Sequence, residues 1–234
     1  YMCREKNLKK IKGNLIVSCQ AVGDEPLNNP IAIQLVAKAC LEGGAKVLRL
    51  SQYDHIKSIK SISGNTPIIG LIKHEFKNSE VIITPSIEDV KQLIDLEVDC
   101  IAMDATLRKR PKETLQELVN YCRKNAPNIL LMADCSNLED IENAEKLGFD
   151  LIGTTLRGYT KQTLGKSNIE NNYAFIKEVI KKIKVPLIAE GGIWEPYQVK
   201  DLLDIGCFAV VVGSAITRPK EITKYFLSGV NDKK

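Results

Sequence analysis

The chain alternates apolar runs of strand length with helical patterns, eight times over. Near-continuous Val/Ile/Leu runs fall near residues 14–18, 45–50, 67–73, 98–103, 129–134, 149–154, 185–190 and 208–213. Runs without polar alternation are covered on both faces, and strand–helix alternation implies a parallel sheet. A finer repeat narrows the choice. Four joints share one form, a helix end, then an acidic or glycine turn, then a strand: Leu41-Glu42-Gly43-Gly44-Ala45, Leu96-Glu97-Val98-Asp99-Cys100, Leu147-Gly148-Phe149-Asp150-Leu151 and Ile205-Gly206-Cys207-Phe208-Ala209. They precede the second, fourth, sixth and eighth strands. Three odd strands are entered through proline instead, at Thr66-Pro67, Ala126-Pro127 and Val185-Pro186. Glycine closes a helix, whereas proline opens a strand without needing an amide donor. A two-strand unit repeated four times favours a closed (β/α)8 TIM barrel over an open doubly wound sheet. The 234 residues fit one such barrel. No linker divides them, so residues 1–234 read as a single domain, with 1–12 as an N-terminal extension or helix.

A formal net charge of +4 is spread thinly, and the one dense basic block is Arg108-Lys109-Arg110. Nucleic acid is therefore not expected as a partner, and a small anionic substrate suits the balance. No apolar run approaches the ~20 residues of a membrane span, so no membrane association is expected. Met2 to Lys12 is charged and lacks the apolar core of a signal peptide. Tyr1 ahead of Met2 reads as an artificial remnant. Seven cysteines occur without any Cys-x-x-Cys, and Cys40, Cys100 and Cys207 sit inside apolar runs. They read as reduced thiols of a cytoplasmic protein. With only His55 and His74, a histidine-rich metal site cannot be built, and nothing supports a carboxylate-only one. No metal and no cofactor are expected.

In such a barrel the active site lies at the C-terminal strand ends. Those ends carry Ser18 and Gln20, Arg49, Lys73, Asp104, Asp134, Thr154 and Thr155, Glu190, then Gly213. Nearly every end thus bears a hydrogen-bonding or charged group. Two of them, in Leu187-Ile188-Ala189-Glu190-Gly191-Gly192-Ile193 and Val210-Val211-Val212-Gly213-Ser214-Ala215-Ile216, stop on glycine or serine. Backbone bare of side chains, beside a helix start and Arg218, suits a phosphate dianion. Gly191, Gly192, Gly213 and Ser214 are the candidate phosphate contacts.

Lys73 follows Ile68-Ile69-Gly70-Leu71-Ile72. It reads either as a desolvated amine available as a base, or as a lysine that snorkels to water or holds a phosphate. Glu190 reads as its catalytic partner or as a salt-bridge residue of the barrel mouth. Strands three and seven of a closed barrel lie opposite one another, so the two groups would flank a substrate. Inverting a stereocentre by proton transfer needs two groups on opposite faces, or one group and a rotating intermediate. Arg49 and Arg218 are candidate anion clamps, with an ion pair to Glu190, Asp134 or Asp104 as the competing role of Arg49. Asp104 and Asp134 orient sugar hydroxyls, fix Lys73, or are structural. Cys19 and Cys135 read as packing, and parity turns His74 away from the site. Leu156 to Asn168 is either a lid or a mobile surface loop, and Tyr159 is its candidate substrate contact.

Several segments resemble one known family. They are Asn14-Leu15-Ile16-Val17-Ser18-Cys19-Gln20-Ala21, Asp24-Glu25-Pro26-Leu27, Ile69-Gly70-Leu71-Ile72-Lys73, Asp104-Ala105-Thr106, Met132-Ala133-Asp134-Cys135-Ser136, Gly153-Thr154-Thr155-Leu156-Arg157-Gly158-Tyr159-Thr160, Ala189-Glu190-Gly191 and Gly213-Ser214-Ala215-Ile216-Thr217-Arg218-Pro219. Together, in order from about residue 13 to residue 227, they resemble the bacterial N-acetylmannosamine-6-phosphate 2-epimerases. The resemblance implies a cofactor-independent (β/α)8 epimerase of sialic-acid breakdown, usually a homodimer. It would interconvert N-acetylmannosamine 6-phosphate and N-acetylglucosamine 6-phosphate. It implies that Lys73 is the acid/base and Glu190 assists, that Gln20, Arg49, Asp134 and Arg218 line the sugar phosphate, and that the two glycine turns hold its phosphate. Three departures stand out: Leu50-Ser51-Gln52 where relatives carry a small residue or isoleucine, then Asn or Glu, then Gly; His74 in place of arginine; and Arg157 in place of a smaller residue or histidine. None removes a proposed catalytic group. The rivals are a Schiff-base aldolase of the same fold with Lys73 as nucleophile, and a catalytically inert sugar-phosphate sensor. Metal-dependent pentose-phosphate epimerases share the fold, but the shortage of histidine argues against them.

Overall fold

All eight expected strands form, each within two residues of its expected bounds: β1 Leu15–Cys19, β2 Val47–Ser51, β3 Ile68–Leu71, β4 Cys100–Asp104, β5 Leu130–Asp134, β6 Leu151–Gly153, β7 Leu187–Glu190 and β8 Ala209–Val212. In the computed structural model, which describes residues 2–231, they pair in parallel in sequence order, and β8 closes on β1. Tyr1 lies outside the described residues. The helices are α1 Met2–Ile11, α2 Pro30–Glu42, α3 Tyr53–Ser63, α4 Ile87–Asp95, α5 Leu115–Asn125, α6 Leu138–Leu147, α7 Glu170–Lys182, α8 Pro196–Ile205, α9 Ser214–Thr217 and α10 Pro219–Asn231. Among the described residues no helix is long and apolar enough to cross a membrane.

Local chemistry sets the helix starts. Ser86 with Asp89, Thr114 with Glu117, and Asn137 with Asp140 form reciprocal capping boxes at α4, α5 and α6. Proline opens α2 and α8, where a missing amide hydrogen costs nothing. One start is irregular: Asn171, Asn172 and Tyr173 at the head of α7 wind left-handed before the right-handed helix sets in.

The period of two along each strand sorts side chains into two cores. Ile16, Val47, Ile69, Cys100, Leu130, Leu151, Ile188 and Ala209 fill the barrel interior. Val17, Leu48, Ile68, Ile101, Leu131, Ile152, Leu187 and Val210 face outward under the helices. Moving up the inward face, the apolar layers give way to Ser18, Arg49, Asp104, Asp134 and Glu190. Each stands an even number of residues beyond an interior apolar side chain. The barrel floor is closed by α1: Ile11 is fully buried in the interior core. Asn7 Nδ2 donates to Asp99 Oδ1 at 3.1 Å, and Arg4 pairs with Asp150 at 3.1 Å, both at the entry ends of strands.

Strand three is shorter than its apolar run. β3 ends at Leu71, and Lys73 leaves the sheet to form an antiparallel bridge with Ile83 of the following loop.

Candidate active site

A cavity of about 630 Å³ opens at the C-terminal strand ends. Lys73, two residues beyond β3, and Glu190, at the end of β7, both line it, and those two strands stand four apart in the eight-strand ring. Gln20, Tyr159, Arg218, Gly191, Gly192, Gly213 and Ser214 line it too. Arg49 and Asp134 do not. Both are buried, at 1% and 0% relative exposure, beneath the cavity floor. The ion-pair role left open for Arg49 is the one it plays here. Its Nη2 lies 2.7 Å from Asp134 Oδ2, and its Nε lies 3.1 Å from Glu190 Oε1 without the alignment of a hydrogen bond. Asp104 is not its partner. That carboxylate pairs with Arg108 at 2.6 Å and accepts from the Thr106 hydroxyl at 2.7 Å.

This arrangement moves the two candidate catalytic groups toward each other in acidity. Burial raises Glu190 from an ordinary 4.5 to about 7; Arg49, Thr155 and Lys73 pull it down, and Asp134 pushes it up. Burial lowers Lys73 from its ordinary value, and the nearby Arg49 charge lowers it further. Burial works against the charge on Arg49 as well, but Asp134 and Glu190 outweigh it and hold the guanidinium protonated.

The main chain of Lys73 is held from an unexpected direction. Gln52 Oε1 accepts from the Lys73 N–H at 2.8 Å, and Gln52 Nε2 donates to the Lys73 carbonyl at 3.1 Å. β2 ends at Ser51, so the Gln52 side chain does what one more strand residue would do. Its own backbone stands at φ 71°, ψ 138°, a region that favours glycine. The sequence marked this loop as unusual but gave no sign of the clamp.

The turn after β7 requires its glycines. Gly191 and Gly192 stand at φ 107° and 71°, in the left-handed region. Asn168, buried at the end of the β6 loop, ties that turn down through Nδ2, which donates to the carbonyls of Glu190 at 2.7 Å and Gly191 at 3.1 Å. Asn168 was not singled out in the sequence; a buried amide at the far end of a polar loop has no local signature. Gln20 Nε2 donates to Ser18 Oγ at 2.9 Å, while its enclosed Oε1 has no partner among the described residues. Arg218 borders the cavity and forms an ion pair with Glu25 of the β1 loop. Tyr159 stands at the rim, 71% exposed. The loop after β3 adds Glu80, Ile82 and Ile83 to the wall, which the expected strand bounds had concealed. His74 points away from the site and meets Asp89 at 3.0 Å, as parity required. Arg157 pairs with Glu170 and lies over the Phe175 ring. Among the described residues, no group of three or more His, Cys, Asp or Glu stands where it could hold a metal ion.

Known proteins resemble this chain over nearly all of its length. The family described as "Putative N-acetylmannosamine-6-phosphate epimerase" matches residues 33–232. A Malacoplasma penetrans protein named as a 2-epimerase of that kind is 75% identical over 225 residues, covering 96% of this chain and 98% of the relative. A Mycoplasma mycoides protein of the same name is 58% identical over 219 residues, covering 94% and 96%. The solved structure of the N-acetylmannosamine-6-phosphate 2-epimerase from Clostridium perfringens superposes with a TM-score of 0.89 at 42% identity, covering 94% of this chain and 95% of that one.

Proposed function

The chain belongs to the N-acetylmannosamine-6-phosphate epimerase family, and from that premise we propose that it interconverts N-acetylmannosamine 6-phosphate and N-acetylglucosamine 6-phosphate by moving the proton at C2. The observation that carries this reading is the pair Lys73 and Glu190 in one cavity, an amine made easier to deprotonate facing a carboxyl made harder to ionise.

The C2 proton of the open-chain aldehyde is acidic because the resulting enolate delocalises onto O1. The Glu190 carboxylate takes that proton from one face, and the Lys73 ammonium returns one to the other. The reverse reaction starts with Glu190 protonated and Lys73 neutral, so both directions use the same total number of protons. Burial brings the two groups toward neutrality, which keeps transfer from being steeply uphill either way. The Gly191-Gly192 turn, Gly213, Ser214 and Arg218 grip the phosphate. The unpartnered Gln20 Oε1 accepts from a sugar hydroxyl or from the acetamido N–H. Arg49 and Asp134 act from below, by holding Glu190, rather than by touching the sugar. No cofactor takes part.

The reaction belongs to sialic-acid and amino-sugar breakdown in the cytoplasm, where the free thiols of this chain remain reduced. The working form is a homodimer. Its support is the exposed apolar surface of Tyr197, Phe226 and Val230 beside the Trp194–Tyr225 ring contact. Sedimentation of the purified protein returning a monomer at micromolar concentration would remove that part of the reading.

The decisive experiment follows N-acetylmannosamine 6-phosphate by NMR in deuterated water with pure protein and no added metal. The expected result is N-acetylglucosamine 6-phosphate carrying deuterium at C2. An adduct trapped on Lys73 by borohydride would identify a Schiff-base aldolase instead. Substrate that binds and stays unchanged would identify a sensor.

A further inference from the structure

Glu190 is held by more than Arg49. The carboxylate oxygens that do not face Arg49 reach a single hydroxyl: Thr155 Oγ1 lies 2.5 Å from Asp134 Oδ1 and 3.2 Å from Glu190 Oε2. Arg49, Asp134, Thr155 and Glu190 therefore close a ring across the barrel, with one oxygen of each carboxylate on the guanidinium and the other on the hydroxyl. A hydroxyl has one hydrogen and two lone pairs, so Thr155 can donate to only one of its two neighbours at a time.

We propose that Thr155 is a positioning residue that sets the protonation state of Glu190 during the proposed C2 proton transfer. When Glu190 is ionised, the Thr155 hydroxyl turns to donate to Glu190 Oε2. When Glu190 has taken the C2 proton, that proton stays on Glu190 and is donated to Thr155 Oγ1, while the hydroxyl hydrogen turns to Asp134 Oδ1. No bond of Thr155 breaks; only its O–H direction changes. The exchange is unequal: with Glu190 ionised, Asp134 Oδ1 gives up the hydroxyl hydrogen and Asp134 keeps only its Arg49 pair through Oδ2, whereas with Glu190 protonated Thr155 bridges both carboxyl groups.

The strand beside Thr155 is built around this contact. A Cβ at Gly153 would lie 2.9 Å from Thr155 Oγ1, 3.3 Å from Asp134 Oδ1 and 2.6 Å from Met132 Cε. Only a residue without a side chain at this inward position of β6 leaves the hydroxyl and the carboxylate room to meet. The charged groups facing Glu190 are Arg49 from β2, Lys73 beyond β3 and Asp134 from β5. The β8 register partner is Val211, and Asn168 and Thr154 bind only the Glu190 main chain. Thr155 is thus the neutral group through which Glu190 and Asp134 sense each other.

This role rests on the epimerase reading, so the test has one readout that needs no substrate. Protein carrying 13C-carboxyl glutamate is titrated by NMR, the Glu190 resonance being identified by its loss in Glu190→Gln. The isosteric Thr155→Val removes a hydrogen bond to the charged form and is expected to raise the Glu190 pKa by about one unit, a tenfold change in proton affinity. The acidic limb of kcat/KM should move by the same amount, and Thr155→Ser should return both toward the parent. An unchanged titration in Thr155→Val would overturn the proposal, as would a shift in Thr155→Ser as large as in Thr155→Val, since that would trace the effect to the methyl group. Should the valine variant not fold, Thr155→Ala compared with Thr155→Ser makes the same distinction. If the protein leaves the sugar phosphate untouched, the functional reading fails while the carboxyl titration still reports on the ring.

Discussion

Replacing Gln52 with glycine should separate stability from activity. Gln52 occupies a left-handed backbone conformation at φ 71° with no side-chain bond to the head of α3. Holding a non-glycine residue there costs on the order of 1–3 kcal/mol, which Gln52→Gly releases. The same change deletes the two amide hydrogen bonds to Lys73, worth about 1 kcal/mol each net of solvation. The two effects nearly cancel. A residual of about 1 kcal/mol shifts Tm by only ~2–4 °C in a domain of this size. Activity has no such compensation. Lys73 lies beyond the end of β3, so the clamp supplies what the sheet no longer provides, and a displacement of about 1 Å at a reacting group costs on the order of 10²-fold. The expected outcome is a fall of about ten- to hundredfold in kcat with Tm within a few degrees of the parent, read by NMR turnover and thermal melting. Undiminished kcat would refute the reasoning. So would a loss of activity accompanied by a drop in Tm of more than about 10 °C, which would make Gln52 a stability residue.

Other perturbations give equally separable results. The pH profile of kcat/KM should be bell-shaped, rising through about 7 as Glu190 ionises and falling at a pH below 10.5 as Lys73 loses its proton; a flat acidic side would exclude Glu190 as the base. The folded state binds the Glu190 proton more tightly than the unfolded chain does, so its stabilising effect is full below 4.5 and is lost as the pH rises through about 7. The parent should therefore lose up to about 3 kcal/mol relative to Glu190→Gln between pH 4 and pH 8, and urea unfolding of both proteins measures it. Gly153→Ala should cost about 1–3 kcal/mol by crowding Met132 and Thr155, with an accompanying shift of the acidic limb; a stability loss alone would mean that the methionine moves and the ring stays intact.

What was legible in the sequence was whatever is local. Continuous Ile/Val/Leu runs with glycine or proline at their joints are short-range signals, and they located all eight strands. The same periodicity aims Glu190 and Gly213 into the cavity and Asp134 into the barrel beneath it. What escaped depends on partners far along the chain. The Arg49 guanidinium finds carboxylates 85 and 141 residues later, and nothing near Val47-Leu48-Arg49-Leu50 selects Asp134 and Glu190 over Asp104. Thr155 was visible as a polar strand end, but its sharing between two carboxylates follows from the missing side chain of Gly153. The length of strand three was overestimated because Ile72 is as apolar as the strand it follows, although it already belongs to the turn toward Ile83.

The helix that closes the barrel floor has a consequence for the order of assembly. α1 is synthesised before the barrel strands, yet its docking groups, Asp99 and Asp150, follow 92 and 146 residues after Asn7 and Arg4. Its helical form can appear early, but its anchorage must wait until β4 and β6 stand side by side with β5. The α1 segment therefore remains undocked until Asp99 and Asp150 have both been made, and it seals the barrel only after six of the eight strands have begun to form.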